Sequence, residues 1–139
     1  MKHAGFEIDV DRMRDLLTVR YTGTLTLDVA ERAVDAGFGH PGVTAATLVL
    51  IDATLAQVHE VDVNWFRSYQ AFRASRGYPA QTTALVVSRD EGHQLLGQLW
   101  AAIRATAAAD APGVFTDESA AIEWLLERRA APDAGSMSA

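Results

Sequence analysis

Cysteine is absent from this 139-residue chain, and lysine occurs once, at Lys2. Without cysteine there is no disulfide, no thiolate nucleophile and no thiolate metal site. Without clustered lysines, and with its arginines scattered, the chain has no basic patch to neutralise duplex phosphates or to settle on an anionic membrane. The net charge of −6 points the same way and argues against nucleic acid as a partner. No apolar run approaches the roughly 20 residues that a membrane helix needs. The opening MKHAGFEIDVD has no apolar stretch of signal-peptide length. The reading is therefore a cytoplasmic protein. Arginine in excess over lysine, with abundant alanine, suggests a GC-rich bacterial source.

Catalytic patterns are also missing. There is no Gly-x-Ser-x-Gly segment and no defensible Ser/His/Asp set. His3, His40, His59 and His93 show no i, i+4 metal spacing and read as surface or loop residues. His59-Glu60 with Asp62 gives at most a loose cation site. Gly37-x-Gly39-x-x-Gly42 spells a dinucleotide-binding pattern, but it follows a helical stretch and precedes a strand, the reverse of what phosphate binding needs. The acidic pairs Asp90-Glu91 and Asp117-Glu118 stand at helix starts, where the dipole favours them. No enzyme activity, cofactor or metal is expected.

What is present is an alternation of strand and helix signals with 49% apolar residues, enough for one buried core. Phe6, Ile8 and Val10 alternate with acids; after the polar break Arg12–Asp15, Leu17, Val19 and Tyr21 alternate with polar residues. That is a β-hairpin. Thr26 caps a first helix with Leu27, Ala30, Val34 and Phe38 on one face. Leu48–Ile51 is a continuous apolar run, as expected of a strand covered on both faces. Asp62 caps a second helix that ends at Gly77, with Phe66, Tyr69, Phe72 and Arg73 on its inner side. Thr83–Val87 is a further strand. Ser88 and Glu91 have capping-box spacing ahead of a third helix with the stripe Leu95, Leu96, Leu99, Trp100, Ile103. Val114-Phe115 is a short last strand, and a fourth helix carries Ile122, Leu125 and Leu126 inward. The expectation is one α/β domain over residues 1–129. It has an N-terminal antiparallel hairpin leading into a mostly parallel sheet of about five strands with four helices, and a disordered tail over 130–139.

The segment Tyr21-Thr22-Gly23-Thr24-Leu25-Thr26-Leu27-Asp28, followed by VLID, ALVVS and VFTDESAAIEWL, resembles the STAS/SpoIIAA-like domains, the anti-sigma-factor-antagonist fold. The resemblance covers about residues 5–129. It implies a regulatory, protein-binding module. Members of that family carry a phosphorylatable Ser or Thr at the start of the second helix. The matching stretch here is Val61-Asp62-Val63-Asn64-Trp65, which has no hydroxyl, and the nearest in the preceding loop is Thr54. Phosphorylation needs a hydroxyl to receive its charge, so the family's switch does not carry over.

Candidate binding residues gather where ligands collect in open α/β sheets, at the carboxyl ends of strands: Asp52, Asp62, Asn64, Ser88 and Arg89. Asp62 and Ser88 also serve as helix caps, and Asp52 and Arg89 read equally well as solvated strand ends. Trp65 joins the set because it is adjacent to Phe66, and one helix face cannot hide both. The first reading of function is a non-enzymatic regulatory or protein-interaction module, self-associating as a homodimer. The alternative, by analogy with the Sec14 relatives, is a binding domain for an apolar small molecule in a cavity beneath the second and third helices, lined by Phe66, Tyr69, Leu96 and Trp100.

Overall fold

The strands of the N-terminal hairpin are specified by period-two alternation, the central strands by unbroken apolar runs, and the helices by caps and apolar faces. The structure, a computed structural model, describes residues 2–105 and 112–130. The strands are β1 (Lys2–His3), β2 (Phe6–Asp11), β3 (Leu16–Tyr21), β4 (Leu48–Asp52), β5 (Thr83–Val86) and β6 (Gly113–Phe115). The helices are α1 (Leu27–Gly39), α2 (Val63–Arg76), α3 (Glu91–Ala105) and α4 (Glu118–Ala130). The strands form one sheet in sequence order. β1, β2 and β3 pair antiparallel; β3 to β6 pair parallel. The sheet thus has one strand more than expected, because Lys2 and His3 pair with Glu7 and Phe6. The tail expected from residue 130 onward lies outside the described residues, apart from Ala130 at the end of α4.

The hairpin turn is built by Asp11, whose Oδ1 accepts from the N–H groups of Met13 and Arg14, while Asp15 adopts a positive φ of 49°. Thr26 caps α1 by accepting from Val29 N–H, and Asp62 caps α2 by accepting from Trp65 N–H. Gly77 ends α2 in the left-handed conformation, which costs a glycine nothing. The capping box expected for α3 is not formed. Asp90 takes that place, its carboxylate accepting from His93 N–H, and Ser88 only receives the Asp90 N–H at 3.4 Å. Asp90 lies directly before the first helical residue, where its short side chain reaches the orphan donor; Ser88 is too far upstream.

The sheet is covered unequally. Leu17, Val19, Tyr21, Val49, Leu85 and Val87 face a large core shared with α1, α2 and α3. Leu16, Leu48, Leu50, Ala84 and Val86 face the other way, against Ala121 and Leu125 of α4. Alternation along β4 therefore serves two cores, as its unbroken apolar run requires. On α4 the inward positions are Ala121 and Leu125, with Ile122 and Leu126 at the margin. On α3 the buried residues are Gly97, Trp100 and Arg104, while Leu95 turns outward. Of the expected α3 stripe, Leu96, Leu99, Trp100 and Ile103 pack against the core, while Leu95 is exposed and Gly97 faces the sheet: a Cβ there would stand 3.0 Å from Val114 Cγ1 and 3.1 Å from Val87 Cγ1. That close approach fixes the helix rotation and turns Leu95 away from the core.

Leu50 is fully buried between β4 and α4. Leu50→Ala is expected to cost about 3 kcal/mol, through lost transfer energy and the cavity left behind. Urea denaturation with the slope held common to both proteins measures it.

Candidate functional site

The residues singled out from sequence stand at the carboxyl ends of β4 and β5 and at the starts of α2 and α3. Asp52, at the end of β4, is held by Arg20 across the strand pair at 3.4 Å, and its Oδ1 accepts from Thr54 N–H at 3.0 Å and Thr54 Oγ1 at 2.7 Å. Arg20 also pairs with Glu118 at the start of α4, so this carboxylate and guanidinium link the two layers. The one hydroxyl of the preceding loop, Thr54, is committed to Asp52. Asp62 is committed to its cap, and Asn64 is exposed on the first turn of α2. Arg89 is exposed, and its carbonyl accepts from Gln94 Nε2. Ser88 donates its backbone N–H to His93 Nδ1. Among the described residues no three His, Asp or Glu side chains meet in a way that could hold a metal ion. No described helix is long and apolar enough to cross a membrane.

Trp65 is the member of the set that leads somewhere. Phe66 beside it is buried and Trp65 is half-buried, which resolves the adjacency noted in the sequence. The Trp65 ring stacks on Tyr69 at 5.6 Å between centroids and meets Phe66 edge-on at 5.4 Å. These rings wall an apolar cavity of about 60 Å³ between α2, α3 and the sheet, lined also by Leu96, Trp100 and His93. All four residues named for such a cavity from the sequence, Phe66, Tyr69, Leu96 and Trp100, line it. A water-sized group needs about 10–15 Å³, so there is room for several. The indole N–H of Trp65 is buried and has no acceptor among the described residues. Buried tryptophan N–H groups usually find a partner, so an orphan here is a cost that a ligand acceptor would relieve.

Two further residues shape the cavity. His93, expected at the surface, sits in the first turn of α3 and bridges two loops. Its Nδ1 accepts from Ser88 N–H at 3.1 Å, which leaves the proton on Nε2, 3.1 Å from the Ala56 carbonyl. One imidazole thereby ties the loop after β5 to the loop after β4, at the mouth of the parallel strands. Its i+3 spacing from Asp90 was visible in the sequence, but its carbonyl partner was not. Tyr21, buried at the end of β3, has its phenol pushed well above the ordinary value by burial, and further by Tyr69, with Arg73 opposing.

Among solved structures, the chain is similar to an uncharacterized protein of the DUF3478 family from Shewanella loihica PV-4, whose structure is described as a SpoIIAA-like fold. The match covers 87% of this chain and 94% of that one, with a TM-score of 0.58 and 16% identity. The chain has a SpoIIAA-like fold. No protein-family model matches it, and no curated protein does. The likeness therefore speaks for the architecture, and the site must be read from its own residues.

Two outcomes follow. His93→Leu keeps the bulk but leaves Ser88 N–H and the Ala56 carbonyl unpaired, which should cost about 2 kcal/mol and speed amide exchange at Ser88 by NMR. The second concerns pH. Tyr21 keeps its proton in the folded state to a higher pH than in the unfolded state, which ionises near 10.0. Above that value the native state binds more protons than the unfolded one, so its stability falls as pH rises. Tyr21→Phe should remove that part of the alkaline loss, seen as a flatter stability profile above pH 10.0 in parallel urea titrations.

Proposed function

We propose that this SpoIIAA-like domain is a non-enzymatic binding module whose ligand is an apolar small molecule carrying a hydrogen-bond acceptor. The observation that carries this is the cavity between α2, α3 and the sheet, walled by Trp65, Phe66, Tyr69, Leu96 and Trp100, with the Trp65 N–H, unpaired among the described residues, in its wall. Apolar walls with a few placed polar groups are what small-molecule sites have in common. At about 60 Å³ the space is below the ~150 Å³ in which a benzene-sized ligand is held. A ring or short chain would enter by displacing the half-buried Trp65 side chain outward. The polar residues that chemistry would need support the non-enzymatic reading, since Asp52 and Asp62 are committed to an ion pair and a cap.

A second reading, a protein-interaction surface used for self-association, is favoured by the side chains left outside. Leu55 is 73% exposed and Leu95 is 70% exposed, on the loop after β4 and on α3, beside the elements that wall the cavity. Exposed apolar side chains that gather into one contiguous patch mark contact surfaces. The two readings are compatible, because a ligand that moved Trp65 would alter the α2 surface that a partner meets. Either way the serine switch of the anti-sigma-factor antagonists has no counterpart at Val63 and Asn64.

Native mass spectrometry of the purified protein should show a bound small molecule or, after its removal, saturable uptake of toluene or 1-hexanol. Tryptophan emission should shift with uptake. Leu96→Trp fills the cavity and should abolish the shift while the circular dichroism spectrum stays unchanged. Unaltered emission in the parent protein across the titration would eliminate the small-molecule reading.

A further inference from the structure

On its α4 side the sheet is only half covered by the described residues. α4 packs on β4, β5 and β6, and β1, β2 and β3 lie beyond them in the sheet order. Leu16 of β3 belongs to the α4 side, and Asp11 is its partner across the hairpin. Side chains directly opposite share a face, and every second residue returns to it. Glu7, Asp9 and Asp11 therefore stand on the α4 side of β2, while Phe6, Ile8 and Val10 face the large core. Asp9 is exposed; Glu7 and Asp11 are half-buried. A helix with its side chains is about 10 Å across, and three strands about 4.8 Å apart span roughly the same width. The α4 layer has room for one more helix, beside α4 and over β2 and β3.

That place is already shaped. A groove of about 480 Å³ runs along the flank of α4 next to the hairpin, lined by Arg14, Ser119, Ile122, Glu123, Leu126 and Glu127. Two bridges from α4 to the hairpin fix its ends. Glu118 pairs with Arg20 of β3 at one end, and Arg129 donates to the carbonyls of Arg14 and Asp15 at the other. The stretch of α4 between these bridges is about 16 Å long, or about three turns. Ile122 and Leu126, one turn apart and half-buried, put an apolar seam in its middle. Amphipathic helices lay apolar residues at i, i+3, i+4 and i+7 into grooves of this kind.

Charge selects which helix. The arginines on this side are spent: Arg14 pairs with Asp11 at 2.7 Å, Arg20 is shared between Asp52 and Glu118, and Arg129 is held by the hairpin carbonyls. Lys2 stands opposite Glu7 in the register. Asp9, Glu123 and Glu127 make no ion pair among the described residues. Residues 106–111 and 131–139, which are not described, contain no lysine, arginine or histidine and so cannot neutralise them. A second copy of the chain would bring its net charge of −6 toward the same acids. The groove thus offers an apolar seam between acidic margins, Asp9 on the sheet and Glu123 and Glu127 on α4.

We propose that this groove docks a basic amphipathic helix of another protein, with its apolar stripe on Ile122 and Leu126 and its lysines or arginines against Asp9, Glu123 and Glu127. The partner completes the half-built layer over the sheet. The surface lies on the face of the sheet opposite the cavity of α2 and α3, so it stands apart from the small-molecule reading.

The probe is an acetylated, amidated peptide of about 15 residues, long enough to form a helix, with leucines at i, i+3, i+4 and i+7 and lysines beside them. One control has the same composition in scrambled order; the other has glutamate for every lysine. Each is titrated into the isotope-labelled full chain and followed by heteronuclear NMR. The salt is about 0.15 M, where exposed charges more than about 8 Å apart are largely screened. The lysine peptide is expected to bind saturably, with amide shifts confined to β2, β3 and α4, and both controls at least about tenfold more weakly. Asp9→Lys and Glu123→Lys, both at exposed positions, should each weaken the lysine peptide and strengthen the glutamate peptide. Loss of folding cannot produce these opposite signs. Equal binding of the lysine and scrambled peptides reduces the effect to net charge and overturns the docking groove, as does an absence of binding. Shifts that map to α2 and α3 overturn it too. Concentration-dependent shifts at β2 and α4 in the protein alone give the groove to a second copy and overturn the partner helix.

Discussion

A parallel sheet must be covered on both faces, and here one helix does on one side what three do on the other. β4 feels this most directly. Leu48 and Leu50 point to α4, Val49 and Ile51 to the layer of α1, α2 and α3. On the α4 side the packing is small and tight, with Ala84 and Ala121 allowing close approach. On the other side three helices must tile a wider surface. α3 is drawn against the sheet at Gly97, α1 and α2 pack together, and the space left between α2, α3 and the strands is filled by aromatic rings and two guanidiniums. The cavity is a consequence of that tiling.

The polar groups at the carboxyl ends of the strands answer to the same constraint. Parallel strands end together, and their loops must be held so that α2 and α3 can start. Asp52 holds Thr54 and Arg20, Asp62 and Asp90 cap the two helices, and His93 ties the loops to one another. Ligand sites in open α/β sheets form at this edge because several loops converge there. In this chain Asp52, Asp62, Asp90 and His93 at that edge are held by its own hydrogen bonds, and an apolar space lies one layer deeper, among the rings.

Much of the fold was legible in the residues. The hairpin, the order of strands and helices, the caps at Thr26 and Asp62 and the terminator Gly77 are local signals, and local chemistry realises them. The cavity walls were also within reach, because Phe66, Tyr69, Leu96 and Trp100 fall on the inner faces of neighbouring helices. The Ser88 cap was misread because Asp90, two residues on, is a competing cap closer to the first helical turn. Leu95 alone was misplaced in the α3 stripe, because a glycine has no place in a hydrophobic pattern, yet Gly97 is where the helix touches the sheet. Arg104 was passed over for a related reason: a charged residue is assumed to face water, and nothing nearby in sequence says otherwise.

The sequence by itself determined the class of fold and the direction of the strands. Those features depend on neighbours a few residues apart, whose spacing the chain displays. Only the tertiary structure decided that Trp65 has a buried N–H with no acceptor among the described residues, that His93 joins two loops, and that Arg73 and Arg104 share a void. Each of these joins residues far apart in the chain, and each is set by how closely two helices approach one sheet. That distance is fixed by packing, which no run of consecutive residues encodes.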